Sequence, residues 1–457
     1  RFFDQKKLMK TVEAAPLDSY EALQEMNEDR SVLVPSDGRE AIALKPADLH
    51  ELRSLEFDKS NDILPQRDYD LLQYWQSNGG YRVGGETDGR KAYEALQSLQ
   101  GGEEFEISSA GRFAPALTFQ DMEDLAAFHV GVDQPASGSY KGIDVYTCGP
   151  WCQGPVSIEA LQILEGFDLQ GMGHNSPDYI HTVLEALKLS FSDRHHYYGD
   201  PDFVDVPLEG LTSKAFADER RQAIDPSRAS SEIPEPGDPW RYQGGSQNGR
   251  SMAKPEPVGG RLEADTSYVC VVDRQGNAFS ATPSDGIGGA PVATELGFVI
   301  SPRGSQSWLD PENPGALAPG KRPRLTPNPA LAMRDGQVWM PFGTPGGDVQ
   351  CQSMVQLFLN VAEFGMDPQQ AIEAPRVSAW SFPNSFWPHA YNPGFVGVEG
   401  RIAPDVVEDL RKRGHKVEVW DDFTPRMGCL CAIHVDPERG SRNGGADPRR
   451  DGYAMGR

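Results

Sequence analysis

The feature that most constrains this chain is a break in character near its middle. A polar stretch with scattered Pro and Gly, DPSRASSEIPEPGDPWRYQGGSQNGRSMAKPEPVGGRLE from Asp225 to Glu263, runs straight into ADTSYVCVVDRQGNAFSAT, Ala264 to Thr282. The first part cannot bury enough apolar surface to offset the entropy of ordering it. It is therefore expected to be a mobile tail over residues 225–265. The second part alternates as a hairpin: a strand Tyr268 to Val272, a turn at Gln275-Gly276-Asn277, and a strand Ala278 to Ala281. A tail that sits in mid-chain and stops at Asp265-Thr266 points to a chain end created by cleavage. The chemistry favours a Thr there. A Thr hydroxyl is a poor nucleophile unless a base takes its proton, and a Thr that begins a chain carries that base as its own α-amine, which titrates near about pH 8. The plain alternative is that Thr266 merely enters a strand.

Bulk properties narrow the remaining classes. The 457 residues suffice for two or three domains or one large α/β unit, and 38% AVILMFWYC with 48 glycines is ordinary globular composition. A formal net charge of −24 argues against a nucleic-acid partner, which selects for clustered Lys and Arg. No run approaches the roughly 18 consecutive apolar residues of a membrane span. The opening RFFDQKKLMKTVEAAP does not fit a secretory signal and lacks an initiator Met, so the sequence is expected to start inside a longer precursor. The compartment stays open between cytoplasm and periplasm.

No cofactor and no metal are expected. Cys148 and Cys152 in CGPWC, and Cys429 and Cys431 in CLC, lack zinc-ribbon spacing; with Cys270 and Cys351 they read as buried or idle thiols. His195-His196 and the helical pair His174/His181 have no Asp, Glu or Cys ligands at fitting spacing, which favours packing or surface roles. DGIGGAP has neither the GxGxxG order nor a following Lys-Ser/Thr, so it reads as a loop.

Helical patterns are expected at 49–55, 68–75 and 118–128. The last has Asp121 three residues after its leading Thr118, close to a capping box. SYKGIDVYTC reads as one alternating strand ending in a CGP turn. VSIEALQILEGF and PDYIHTVLEALKLSFSDR follow; in the second, Ile180, Val183, Leu184, Leu187 and Phe191 form one apolar stripe of a helix packed on a sheet. Beyond the hairpin come the strands ELGFVIS and QVWMPFG, helices at 355–365 and 404–414, and the strand VEVWD. The alternation suggests layered sheets covered by helices.

Several motifs in order then resemble one family. DTSYVCVVDRQGNAFSAT, PGKRPRLTPNPAL, FGTPGGD, NVAEFGMDPQQAIEAPR and GGADPRRDGYAMG are similar to γ-glutamyltranspeptidases, and SGSYKGIDVYTCGP, LEGFDLQGMGHNSPDYIHTVLEALKLSFSDR and GDPDFVDVPLEGL resemble the later part of that family's large subunit. The likeness runs from about Ala116 onward. It implies an α/β fold, an αββα sandwich of the N-terminal-nucleophile hydrolase type. It also implies a precursor cut between Asp265 and Thr266, into a large-subunit portion over 1–265 and a small subunit over 266–457. These would form a heterodimer, with further dimerisation open. The family's N-terminal part, including an Arg that grips the glutamyl carboxylate, has no counterpart in this sequence.

The resemblance makes Thr266 the nucleophile and its amine the base, in an amide hydrolase or acyltransferase acting on a small-molecule amide. It places the orienting hydroxyl on Ser284 and the oxyanion-binding glycines at Gly346 and Gly347. Ser284 in TPSDG and the glycine pair could equally be plain turn residues. The substrate pocket departs from the pattern. The acidic, Asn-rich segment that holds a glutamyl ammonium is replaced by Ser301-Pro302-Arg303-Gly304-Ser305-Gln306, the Ser-Ser pair by Leu325-Thr326, and an Asn by Gly286. Arg303, Gln306 and Thr326 are thus the expected substrate contacts, and an Arg there favours an acyl group carrying a carboxylate over a standard γ-glutamyl group. The alternative is a non-catalytic homologue that keeps the scaffold for a structural or binding role.

Overall fold

In the computed structural model, residues 130–245, 255, 257, 266–284, 301–437 and 439–456 are described, together with the backbone of six short strands elsewhere. The chain divides into two compact units, residues 1–131 with 287–302, and residues 132–286 with 303–457. The first unit contains three antiparallel strand pairs: Leu33–Ser36 with Arg39–Ile42, Glu106–Ser109 with Arg112–Pro115, and Val292–Ala293 with Phe298–Val299. The helices expected at 49–55, 68–75 and 118–128 lie outside the described residues.

The second unit is built on a six-stranded sheet. Its strands are β1 (Ala136–Tyr140), β2 (Ile143–Thr147), β5 (Ala330–Arg334), β6 (Gln337–Gly343), β10 (Cys431–Asp436) and β11 (Ser441–Ala446), in the spatial order β11-β10-β6-β5-β2-β1. Here SYKGIDVYTC is not one strand. It folds back at Lys141 (φ 46°) and Gly142 (φ 81°), so that Tyr140 pairs with Ile143. Two successive positive φ angles make the two-residue turn that matches strand twist, and Lys at the first of them hides the signal. β2 pairs antiparallel with β5, Thr147 facing Ala330, so chain on either side of Thr266 contributes to one continuous sheet.

Helices α1 (Gly154–Glu165), α2 (Pro177–Tyr197), α3 (Lys214–Arg221) and α4 (Val349–Ala362) pack with this sheet, around a core that includes Ile158, Leu161, Leu184, Phe342, Phe358 and Leu359. α4 covers one face of β6, with the Phe342 and Phe358 rings 6.0 Å apart. The next residue, Gly343, must point the other way. There a Cβ would collide with the ring of Tyr268, which belongs to the central hairpin. That hairpin, β3 (Val269–Val272) and β4 (Ala278–Ala281), packs on β6 and β10 from the face opposite α4. Helix, sheet and hairpin are thus stacked in layers, in keeping with the expected α/β class. α5 (Pro368–Glu373) begins with a capping box between Asp367 and Gln370. A smaller sheet joins β7 (Val377–Ala379), β8 (Phe395–Glu399) and β9 (Lys416–Trp420), with α6 (Pro404–Lys412) bridging β8 to the parallel β9.

α2 departs from a one-stripe helix. It is buried almost all round, Glu185, Lys188, Asp193 and Arg194 included. The first half of the supposed tail covers its polar side. Lys188 Nζ donates to the Ser230 carbonyl (2.9 Å), the Ser230 N–H donates to Glu185 (3.0 Å), and the Gly237 N–H donates to Asp193 (2.7 Å). The Ala229 N–H donates to the Arg413 carbonyl at 2.8 Å, and Arg413 Nη1 donates to the Pro226 carbonyl at 2.9 Å. The segment is therefore held here in two ways: buried charged side chains satisfy its backbone, and Ile233, Trp240 and Tyr242 pack against the core. Residues 225–245, expected as part of a mobile tail, are hydrogen-bonded to α2 here; beyond 245 only Pro255 and Pro257 of that stretch are described.

Candidate active site

The hairpin register builds the first half of the site. Val269 faces Ala281, and the ladder continues outward through the Ser267 N–H to the Pro283 carbonyl (2.9 Å). One step further puts Thr266 opposite Ser284. Ser284 Oγ donates to Thr266 Oγ1 at 2.8 Å, and the Arg303 guanidinium donates to Ser284 Oγ. Because Ser284 accepts from Arg303, its own proton goes to Thr266, leaving the Thr266 proton for a base. Arg303 is buried, donates through Nη1 to Gln306 Oε1 (3.3 Å), and lies 5.5 Å from the Phe386 ring centroid. Thr266, Ser284, Arg303 and Gln306 therefore form one hydrogen-bonded chain.

The second half is the turn that follows β6. Tyr268, two residues after Thr266, rests on Gly343, three residues before Gly346. Gly346 has φ 135° and Gly347 φ 57°. A Cβ at Gly346 would stand 2.5 Å from Val349 Cγ1. Both conditions call for glycine. The two carbonyls are occupied, Gly346 accepting from the Val349 N–H (3.1 Å) and Gly347 from the Gln350 N–H (3.2 Å). Neither amide N–H donates to another described residue. The turn thus has its donors to spare.

A buried polar brace fixes this turn. Gln153 Nε2 donates to both the Thr326 carbonyl (2.7 Å) and the Gly347 carbonyl (2.8 Å), and Gln153 Oε1 accepts from Arg194 Nη1 at 2.9 Å. Arg194 also pairs with Asp348 at 2.5 Å. Asp348 in turn accepts the Ser385 N–H at 2.7 Å, and Arg324 Nη2 donates to Ser385 Oγ at 3.0 Å. Burial alone would raise the Asp348 carboxyl, but Arg194, Arg324 and the Ser385 bonds outweigh it and hold it low. Burial, then the charge of Arg194, pushes Arg324 down to about 9. Thr326 Oγ1 and Gln306 Nε2 are buried with no hydrogen-bond partner among the described residues.

Of the sequence candidates, Thr266, Ser284, Arg303 and Gln306 come together directly. Gly347 and Thr326 are joined through Gln153. Asp265 lies outside the described residues. Gln153, Arg194, Arg324, Asp348 and Ser385 were not anticipated. The local signal is slight: an Arg near the end of the helix that carries the apolar stripe, and an Asp directly after the glycine pair.

The histidines take other partners. His174 bonds Asn360 at 3.0 Å. His181 Nδ1 lies 2.9 Å from His415 Nε2, and its Nε2 lies 2.8 Å from the Asp225 carbonyl. His181, Glu185 and His415 have metal-ligating atoms close together. Lys188 fills the cluster, 2.6 Å from Glu185 and 3.5 Å from His415 Nδ1, so the donors are already engaged.

A Thr–Ser hydroxyl pair stands on a hairpin packed against a helix-covered sheet whose strand β6 runs into the glycine turn, and together they define a layered α/β scaffold. The solved cephalosporin acylase from Bacillus halodurans shares the fold, with a TM-score of 0.61 and 26% identity over 95% of this chain and 73% of that one. Residues 118–457 match the Gamma-glutamyltranspeptidase family, and the chain belongs to it. It is 35% identical to the Glutathione hydrolase-like YwrD proenzyme of Bacillus subtilis (strain 168), across 74% of this chain and 59% of that protein. It is 34% identical to the Acylase ACY 1 proenzyme of Pseudomonas sp. (strain SE83), across 73% and 53%. The chain thus matches between half and three-fifths of the length of these relatives.

Proposed function

We propose that the protein is an autoprocessing amide hydrolase or acyltransferase whose acyl-enzyme forms on Thr266. The 2.8 Å bond from Ser284 Oγ to Thr266 Oγ1 carries this reading. In maturation, Thr266 Oγ1 attacks the Asp265 carbonyl carbon, the peptide nitrogen leaves as the new Thr266 amine, and water hydrolyses the resulting ester. The two products, 1–265 and 266–457, stay together as a heterodimer because both feed the β2–β5 pairing. In turnover, the amine takes the hydroxyl proton and Thr266 Oγ1 attacks the substrate carbonyl. The amine then returns the proton to the departing nitrogen. Ser284, backed by Arg303, donates to the attacking oxygen throughout. The N–H groups of Gly346 and Gly347 receive the developing oxyanion; such preorganised donors contribute roughly 3–4 kcal/mol each.

Arg303 and Gln306, with Thr326, read the acyl group. A guanidinium at the place that holds the glutamyl ammonium in the family repels that ammonium and attracts a carboxylate, so the acyl group carries a carboxylate there and differs from γ-glutamyl. Curated relatives include the acylase above and an Oxamate amidohydrolase proenzyme of Klebsiella pneumoniae, 31% identical. A kinetic panel of dicarboxylic monoamides, oxamate and γ-glutamyl anilides tests the reading. Faster turnover of the first two supports it; exclusive turnover of γ-glutamyl anilides overturns the acyl assignment, and no turnover with an unmodified Thr266 favours a non-catalytic homologue.

A further inference from the structure

The loop from β2 to α1 reads Cys148-Gly149-Pro150-Trp151-Cys152 and closes as a turn, the Cys152 N–H donating to the Gly149 carbonyl at 2.9 Å. The turn puts the two thiols near each other, so that each shifts the other's ionisation. Cys152 is buried and Cys148 is half-buried. The neighbouring Cys152 holds the Cys148 thiol below its ordinary range against the opposing effects of burial and Asp133. Burial pushes Cys152 well up. The other four thiols are pushed up by burial, Cys270, Cys429 and Cys431 to about 11 and Cys351 to about 12. One partly exposed, thiolate-prone sulfur beside a buried one in the same turn is the pairing of an attacking and a resolving thiol.

We propose that Cys148 and Cys152 are an oxidisable dithiol that closes to a disulfide under hydrogen peroxide, and that the closure acts on the site through the adjoining Gln153. The Cys148 thiolate attacks one peroxide oxygen, the O–O bond breaks, and hydroxide leaves, giving the sulfenic acid. The Cys152 sulfur then attacks the Cys148 sulfur, the S–O bond breaks, and the hydroxyl departs as water with the Cys152 proton. In sum, two thiols and one peroxide give one disulfide and two waters. Gln153 follows Cys152 directly and holds the Thr326 and Gly347 carbonyls at 2.7 and 2.8 Å. The Trp151 carbonyl on the other side accepts the Leu325 N–H at 2.8 Å. A contraction of this turn therefore moves the brace of the glycine turn. The coupling rests on the proposed role of those glycines; the disulfide itself does not.

Peptide mapping separates the two. Trypsin releases residues 142–188 as one peptide whose only cysteines are Cys148 and Cys152. After peroxide and alkylation of remaining thiols, the proposal expects that peptide unalkylated and lighter by two hydrogens, reverting with dithiothreitol, while the other four cysteines alkylate. Cys152→Ser and, independently, Cys148→Ser should abolish the product. Two alkylated thiols, or over-oxidised Cys148 beside alkylated Cys152, overturn the dithiol. In the amidase assay the oxidised protein should lose about tenfold or more in kcat, as misplacement of reacting groups by about an ångström does, and regain it on reduction. A disulfide that forms with unchanged kcat overturns the coupling alone.

Discussion

Thr266 and Ser284 stand directly across a hairpin from each other, with Ser284 Oγ donating to Thr266 Oγ1 at 2.8 Å. The relationship follows from backbone register: Val269 pairs with Ala281, and three more steps outward along both strands reach the two hydroxyls. A donor at the proposed nucleophilic oxygen stabilises negative charge there in the transition state more than in the resting enzyme. Ser284→Ala should therefore lower kcat by about 10–100-fold, the worth of one hydrogen bond to a charged group, with KM little changed. Steady-state kinetics on the matured protein check this; a change confined to KM contradicts the role.

Gly346 combines φ 135° with a prospective Cβ contact to Val349. Gly346→Ala is expected to rotate the turn and remove oxyanion donors, reducing kcat by about 10²-fold or more. A variant that folds, judged by its thermal midpoint, yet keeps full kcat would exclude the turn from the chemistry.

Asp348 is the counter-charge for buried Arg194 and lies near buried Arg324. Asp348→Asn leaves these guanidinium groups unpaired, which costs about 3–5 kcal/mol. Urea unfolding should show a lowered midpoint. Gln153→Ala removes both carbonyl donors and should show a smaller loss, about 1–3 kcal/mol, together with a fall in kcat.

Acid should weaken the fold through histidines held neutral. Burial, then the charge of Lys188, pushes His415 down to about 2, and burial, then Arg194, pushes His195 down to about 3. Burial lowers His181 too, against the pull of the Asp225 carbonyl and Glu185 and with that of Arg413 and Lys188. The unfolded histidines bind protons below about pH 6.5, whereas the folded ones resist, so the unfolded state gains protons first and stability declines as pH falls from there. Urea midpoints at pH 7.5 and 5 should show the decline, and His181→Gln/His415→Gln should show less of it. An equal decline in the double variant would remove that pair from the explanation.

The sequence discloses what is local. The turn at Gln275-Gly276-Asn277 marks the hairpin in the sequence, the family resemblance marks Ser284, and the register of that hairpin explains why Ser284 faces Thr266. The helix α6 and the strands β6 and β9 follow from periodicity, and α4 follows in part, the helix expected over 355–365 being found at Val349–Ala362. The brace is different: Gln153, Arg194, Arg324, Asp348 and Ser385 come from distant parts of the chain and meet only when the sheet closes. No periodic pattern marks a buried ion pair. The order of residues 225–245 escapes for the same reason, since it depends on Glu185, Lys188 and Asp193 facing inward on a helix whose apolar stripe already accounts for its packing.

The intact mass of the purified protein under denaturing conditions bears most directly on the proposed cleavage. Two fragments whose boundary lies between Asp265 and Thr266, together with a Thr266→Ala variant that stays whole, are the expected result. A single uncut chain that still turns over an amide, or a Thr266→Ala variant cleaved at the same bond, would contradict it.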